Sequence, residues 1–255
     1  MFKMNKIILF FLLLIHVDSF ASKEELKKIF DNGNIAYQKA DYTTAIDNYK
    51  SIINKGYSNS QVYFNLGNSY FKLKDFPNSI LYYEKAYKLN SSDGDIRHNL
   101  KLANKNITDK IEPIPDFFMK RLWLDLVFSQ KIDSWAILSL VALFLALLLF
   151  ILFFLSGNPS LKKTGFYSAF LFLFLSLLTY ALAWQQENFL NENNNAIIFE
   201  SSLTVKSAPD EKSTALFVIH EGTKVIITET LGEWNKVKLE NGNMGWIKSK
   251  TFQII

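Results

Sequence analysis

The stretches WAILSLVALFLALLLFILFFL, residues 135–155, and FYSAFLFLFLSLLTYALAW, residues 166–184, decide the layout of this chain. Neither carries an ionised side chain, and at about 1.5 Å of rise per residue each is long enough, as a helix, to cross a hydrocarbon core of about 30 Å. Two successive crossings make a hairpin, so the segments before Trp135 and after Trp184 share one side of a membrane. The joining loop, 156–165, takes the other side. Its only charges are Lys162 and Lys163, and the excess of Lys and Arg in cytoplasmic loops assigns it to the cytoplasm. Two uninterrupted apolar helices cannot line a transport path unless they oligomerise, which argues against a transporter.

The N-terminus supports the same orientation. Lys3 and Lys6 precede an apolar run from Ile7 to Ile15, and Ser19-Phe20-Ala21 places small residues three and one before a cleavage point. This pattern predicts a secretory signal peptide over 1–21, with an uncleaved membrane anchor as the alternative. In either case the chain from about Ser22 is exported.

The chain has 255 residues, 49% of them hydrophobic, and a net charge of +4. That leaves room for two small cores outside the hairpin. Residues 22–110 carry 14 Lys and Arg against 10 Asp and Glu, and residues 185–255 carry 7 against 9. Neither segment has the concentrated positive charge that nucleic-acid binding requires. With no cysteine in the chain, disulfides, thiolate catalysis and Cys-ligated metals are excluded together, which fits a bacterial envelope protein.

Residues 26–93 repeat themselves at an offset of 34, pairing Gly33 with Gly67, Asn34 with Asn68, Ala45 with Ser79, Ile46 with Ile80 and Tyr49 with Tyr83. Such a period marks stacked helical hairpins. The second copy, Tyr63-x-x-Leu66-Gly67-x-x-Tyr70 followed by Ser79, Tyr83 and Ala86, resembles the tetratricopeptide repeat (TPR) at nearly every signature slot. The first is weaker, with Asn32, Ala36 and Ile52 at the slots of Leu66, Tyr70 and Ala86. An α-helical TPR domain is therefore expected over 22–110, with repeats at about 26–59 and 60–93 and a solvating cap helix over 94–107. So small a core is expected to lean on a partner or on the membrane.

The concave face of such a solenoid would be lined by Phe30, Asn34, Tyr37, Phe64, Asn68 and Phe71. Aromatic rings interleaved with amides suit an extended peptide, the amides meeting its backbone and the rings its side chains. The alternative is that these aromatics belong to the core. Asn34 and Asn65 occupy slots where some repeats of this family grip a peptide carboxylate, but Phe30 replaces the expected lysine and no third repeat completes that clamp.

Residues 111–134 form an amphipathic linker. Phe118, Met119, Leu122, Trp123, Leu126 and Val127 recur at helical spacing opposite Lys120, Arg121 and Asp125, which predicts a short helix lying on the bilayer or packed on the solenoid. Trp123, Trp135 and Trp184 would sit at the headgroups. After a linker at 185–195, residues 196–255 switch to short β-rich runs ending in an Asn241-Gly242 hairpin turn. The string Glu221-Gly222-Thr223-Lys224-Val225, then Glu233-Trp234-x-Lys236-Val237, then Gly245-Trp246-Ile247, resembles the bacterial SH3 domain, an all-β SH3-like barrel. Trp234 and Trp246 are its candidate ligand surface, and by fold analogy the ligand is a cell-wall peptide of peptidoglycan.

This order of parts resembles the BatE-like family of Bacteroides aerotolerance proteins, over nearly the whole chain after residue 21. The closest local likeness is Lys206-Ser207-Ala208-Pro209 followed by Phe217-Val218-Ile219-His220-Glu221-Gly222-Thr223-Lys224-Val225. The resemblance implies an envelope system for stress response, encoded with a MoxR-type ATPase and membrane proteins bearing von Willebrand A domains. It supplies no catalytic residues.

The residues also point away from catalysis. Past the signal segment the histidines are His98 and His220, which fall in different domains, and neither has neighbours spaced as metal ligands or as a nucleophile and base. Asp210 and Glu233 are isolated carboxylates in turns. The expectation is a non-enzymatic scaffold of the bacterial inner membrane, without metal or cofactor, whose soluble domains are periplasmic. A peptidoglycan-binding sensor or anchor is the alternative.

Overall fold

The computed structural model describes residues 23–112, 117–191 and 194–255. The expected signal peptide, Pro113 and Pro115 lie outside the described residues. Helix α1 spans residues 23–38, followed by α2 (Tyr42–Asn54), α3 (Ser60–Lys72), α4 (Phe76–Leu89) and α5 (Gly94–Asn104). The chain signals the starts of α2 to α5 with acceptor side chains: Asp41, Asn59, Asp75 and Asp93 each accept from a backbone N–H of the turn they open, satisfying a donor that the helix itself leaves unpaired. Ala40 and Lys74, one period apart, both turn the chain with positive φ, 61° and 63°.

The repeat is explained by two glycine contacts. A Cβ placed at Gly33 would stand 2.6 Å from the ring of Tyr49, and one at Gly67 2.6 Å from the ring of Tyr83. Each tyrosine lies flat against bare backbone, and both are almost wholly buried. Ser79 ties the second crossing by donating to the Gly67 carbonyl at 3.0 Å.

Helix α6 (Phe118–Val127) precedes the two long helices α7 (Ile132–Leu155) and α8 (Pro159–Asn191). α7 is about 36 Å long at helical rise, and both helices are long and apolar enough to cross a membrane. They pack through small residues: Ala142, Ala146 and Ala169 are buried, and Ser139 and Ser176 each donate to the other's carbonyl at 3.0 Å. Close approach with reciprocal hydrogen bonding is the way helices associate where apolar surface gives no advantage over lipid. α8 differs from the expected 166–184 span at both ends. It starts at Pro159, so Lys162 and Lys163 stand on its first turns, because proline is preorganised for a first helical turn and charge ends an apolar span without ending a helix. It also continues through the expected linker to Asn191, since Gln185, Gln186 and Glu187 favour helix.

The β domain has strands β1 (Asn195–Ile198), β2 (Leu203–Lys206), β3 (Ala215–Ile219), β4 (Lys224–Leu231), β5 (Trp234–Lys238), β6 (Met244–Lys248) and β7 (Phe252–Ile254). They form one antiparallel sheet in the order β3-β2-β6-β5-β4-β1-β7. β7 was not expected; only three residues long, it shows little alternation, and it pairs with β1. The core holds Ala196, Ile198, Val205, Val225, Val237 and Ile247.

The two domains are packed together. Alternation along β1 sends Ala196 and Ile198 into the β core, while Ile197 joins Ile80, Leu81, Tyr83 and Ala103 of the solenoid. Around this contact, Lys224 donates to both carboxylate oxygens of Glu84 at 2.9 Å. The segment after α5 straps the junction: Ile107 packs on the solenoid side, Ile111 on the β core. Between them Asp109 accepts from the His220 backbone N–H at 2.6 Å and from Thr223 Oγ1 at 2.6 Å, and its other oxygen lies 2.9 Å from His220 Nδ1. At the far end, Gln186 of α8 donates to the Gln130 carbonyl at 3.1 Å and to Ser91 Oγ at 3.4 Å.

The structure yields two expected outcomes. Gly67→Leu forces Tyr83 out of its seat and should destabilise the solenoid by about 1 to 3 kcal/mol or more, read as a fall in the melting temperature of the helical circular dichroism. An unchanged melt would remove Gly67 from the helix crossing. The second concerns pH. Burial alone would raise the Asp109 carboxyl, but hydrogen bonds from Thr223 and His220 and the adjacent imidazole hold it below its ordinary value. The docked state then binds fewer protons than an undocked one, so the contribution of Asp109 is complete above pH of about 4 and is lost as pH falls toward the lowered value. Energy transfer between labels on the two domains should fall on acidification, and Asp109→Asn should flatten that part of the titration.

Candidate functional site

Helices α1 and α3 bring Asn34, Tyr37 and Asn68 to the rim of one cavity of about 220 Å³, together with Gln38, Tyr49 and Asn65. Its geometry repeats. Asn34 Oδ1 accepts from the Tyr49 hydroxyl at 2.8 Å and from Asn65 Nδ2 at 3.0 Å. One period on, Asn68 Oδ1 accepts from the Tyr83 hydroxyl at 2.6 Å and from Asn99 Nδ2 at 2.9 Å. Burial pushes the Tyr49 phenol up to about 12 and raises that of Tyr83 as well, so both remain neutral donors. Each asparagine thus commits its oxygen to the fold, and its Nδ2 is the atom with which it could donate to a ligand.

The other three expected concave-face residues are half-buried, like Tyr37, and lie outside the lining of this cavity. Phe30 lies against the first solenoid cluster, with its ring 5.9 Å from that of Tyr49. Phe64 and Phe71 pack against the cluster shared with the β domain. The site is therefore an amide-rich slot rather than a continuous aromatic row. Sequence reasoning did not assign Gln38 and Asn65 to it, nor Asn99 to the bond with Asn68 behind it, although Asn65-Leu66 and Asn99-Leu100 are themselves 34 apart. That offset makes α5 the first helix of an incomplete third repeat.

In the β domain, register sets Trp234 opposite Lys248 and Trp246 opposite Lys236, on the face away from Val237 and Ile247. Trp246 is 8% exposed, and the Lys236 ammonium lies 5.9 Å from its ring centre. Trp234 is half-buried, with Lys248 at 5.8 Å from its ring. Lys248 also pairs with Glu211 of the loop after β2. The rings form an aromatic strip edged by two lysines that pair with Glu229 and Glu211, and Trp234 is its more accessible member.

Among the described residues no group of three or more His, Asp or Glu is placed to hold a metal. His98 lies on α5, and His220 belongs to the domain junction with Asp109. Nothing in the sequence spacing flagged Asp109, which is 111 residues from His220.

Residues 60–93 match the tetratricopeptide repeat family, and residues 201–253 match the bacterial SH3 domain family. No curated protein matches the chain. The first repeat and β1 lie outside these matches, yet the structure gives them the same architecture as the matched parts. The chain carries a tetratricopeptide repeat and a bacterial SH3 domain, module types that serve protein binding and, for the latter, peptidoglycan binding, on either side of two helices able to span a membrane.

Proposed function

We propose that this protein is a non-enzymatic scaffold of the bacterial inner membrane that holds partner peptides on its solenoid, with both soluble domains periplasmic. The observation that carries the reading is the cavity rimmed by Asn34, Tyr37 and Asn68. Its amides and phenol can meet a peptide backbone, and no nucleophile and base are paired there. The helical hairpin tethers the site, and α6 supports that placement. Phe118, Met119 and Leu122 are exposed, while Trp123 donates to Gln185 of α8 at 2.8 Å. An apolar helix face beside the emerging end of a spanning helix belongs in the interface.

The resemblance to BatE-like aerotolerance proteins supports an envelope stress system as the setting. Its partners would then be envelope proteins, including membrane proteins with von Willebrand A domains that work with a MoxR-type ATPase. The second reading, a peptidoglycan sensor or anchor, is favoured by the half-buried Trp234 on the outer β face, since a flat ring suits a sugar or peptide of the wall.

Two measurements separate these readings. Mild solubilisation should recover membrane proteins in stoichiometric amount, and Gln38→Ala, at an exposed position on the rim, should reduce that recovery without shifting the melt. Retention on purified sacculi that depends on Trp234 and needs no protein partner would favour the wall reading. Asn68→Ala should lower stability by about 1 to 3 kcal/mol as well as capture, because Tyr83 and Asn99 both lose their acceptor. For topology, a reporter active only in the cytoplasm should work when inserted near Ser160, and one active only after export should work after Ile255. The opposite pattern would overturn the membrane orientation.

A further inference from the structure

The slot on the solenoid is built twice, and only one of its halves reaches the β domain. In the first half, Asn34 Oδ1 accepts from the Tyr49 hydroxyl and from Asn65, and the Tyr49 ring lies in a cluster whose members all come from α1 to α4. In the second half, Asn68 Oδ1 accepts from the Tyr83 hydroxyl and from Asn99. Both of these donors lead to the domain junction. The Tyr83 ring belongs to the cluster that Ile197 enters, and so does Ala103, one helical turn after Asn99 on α5. Glu84, the next residue on α4, takes both hydrogen bonds from Lys224 of the β domain.

The repeat itself explains the difference. Tyr70 of α3 is a member of the first cluster, and the residue 34 positions on is Asn104. A short amide cannot replace a buried ring, and the apolar side chain that the second cluster gains is Ile197 of β1. The packing around Tyr83 and α5 is therefore complete only while the β domain is docked. Undocking uncovers both elements, so Asn68 loses the fixed position of each donor to its oxygen. Released from those bonds, the amide can turn, and its Nδ2 is no longer held to donate into the slot.

We propose that docking of the β domain sets the Asn68 half of the slot, whereas the Asn34 half is independent of it. The docked state holds Asn68 ready to donate, so a peptide carbonyl bound there favours docking, and docking favours the bound peptide to the same extent. A ligand or load that draws the β domain away weakens the grip at Asn68 and leaves that at Asn34 in place. The peptide is that of the scaffold reading above, and its capture becomes conditional on where the β domain sits.

The His220 amide reports docking directly, because its N–H is bonded to Asp109 across the junction. Its hydrogen exchange is measured in the full chain in nanodiscs, with no ligand added, beside that of Leu239, whose N–H is bonded within the β domain. Tyr83→Phe and Asn68→Ala should each speed exchange at His220 about fivefold or more without changing that at Leu239. Tyr49→Phe and Asn34→Ala delete the matching bonds of the first half and should leave His220 unchanged. Equal acceleration by the two sets would show a general loss of solenoid stability, and no acceleration by Tyr83→Phe would show a junction that ignores the slot; either result overturns the coupling. Tyr83→Phe keeps its ring against Gly67, so the test stands even where Asn68→Ala fails to fold. Since no ligand is used, a slot that captures no peptide would overturn the scaffold reading alone, and the exchange rates would still decide the coupling.

Discussion

Ile197 is the residue on which the two soluble domains converge. It sits on a strand whose alternate side chains, Ala196 and Ile198, fill the β core, and it enters the solenoid beside Ile80, Leu81 and Ala103. A solenoid repeat cannot bury its own apolar face and needs a neighbour. Here α5 starts a third repeat that lacks its second helix, and the surface left over is covered by the β domain. Leu100 and Ile107 from the solenoid side meet Phe199 and Ile255 from the other. The domain whose small core was expected to need outside support therefore finds that support within the same chain.

The buried ion pair and the Asp109 strap follow from that apolar contact. Glu84 is 9% exposed and would be costly without Lys224, so removing either partner leaves a poorly solvated charge, a change that costs several kcal/mol where such pairs are buried. A pair of this kind adds little net stability but disfavours alternative dockings. Because α7 and α8 form a tight hairpin, the solenoid and the β domain emerge at the same end of it, which makes their contact possible. Gln186 anchors that end by reaching both the solenoid and the turn before α7.

Much of this was legible in the sequence. The hairpin, the 34-residue period, the β-rich tail and the closely packed Gly67 all follow from local rules about apolar length, periodicity and turn chemistry. The boundaries of α8 were less legible, since the end of an apolar span and the end of a helix are set by different forces. The concave face was partly legible. Asn34, Tyr37 and Asn68 meet in one cavity, whereas Phe30, Phe64 and Phe71 are half-buried outside it, each packed along one edge on a core cluster. The domain junction was not legible. Glu84 and Lys224 are 140 residues apart, and a single sequence carries no signal for a contact between elements so distant in the chain.

The central claim is that the solenoid and the β domain form one docked unit at the end of the hairpin, and the absence of cysteine makes a clean test possible. A Cβ built at Gly222 stands 3.4 Å from the Ile107 Cβ, close to the separation found across disulfides. Ile107→Cys with Gly222→Cys, the latter at a φ of 84° that costs a side chain about 1 to 2 kcal/mol, should on oxidation in intact membranes cross-link much faster than Ile107→Cys with Lys250→Cys. Equal, slow cross-linking of the two pairs would contradict the docked arrangement.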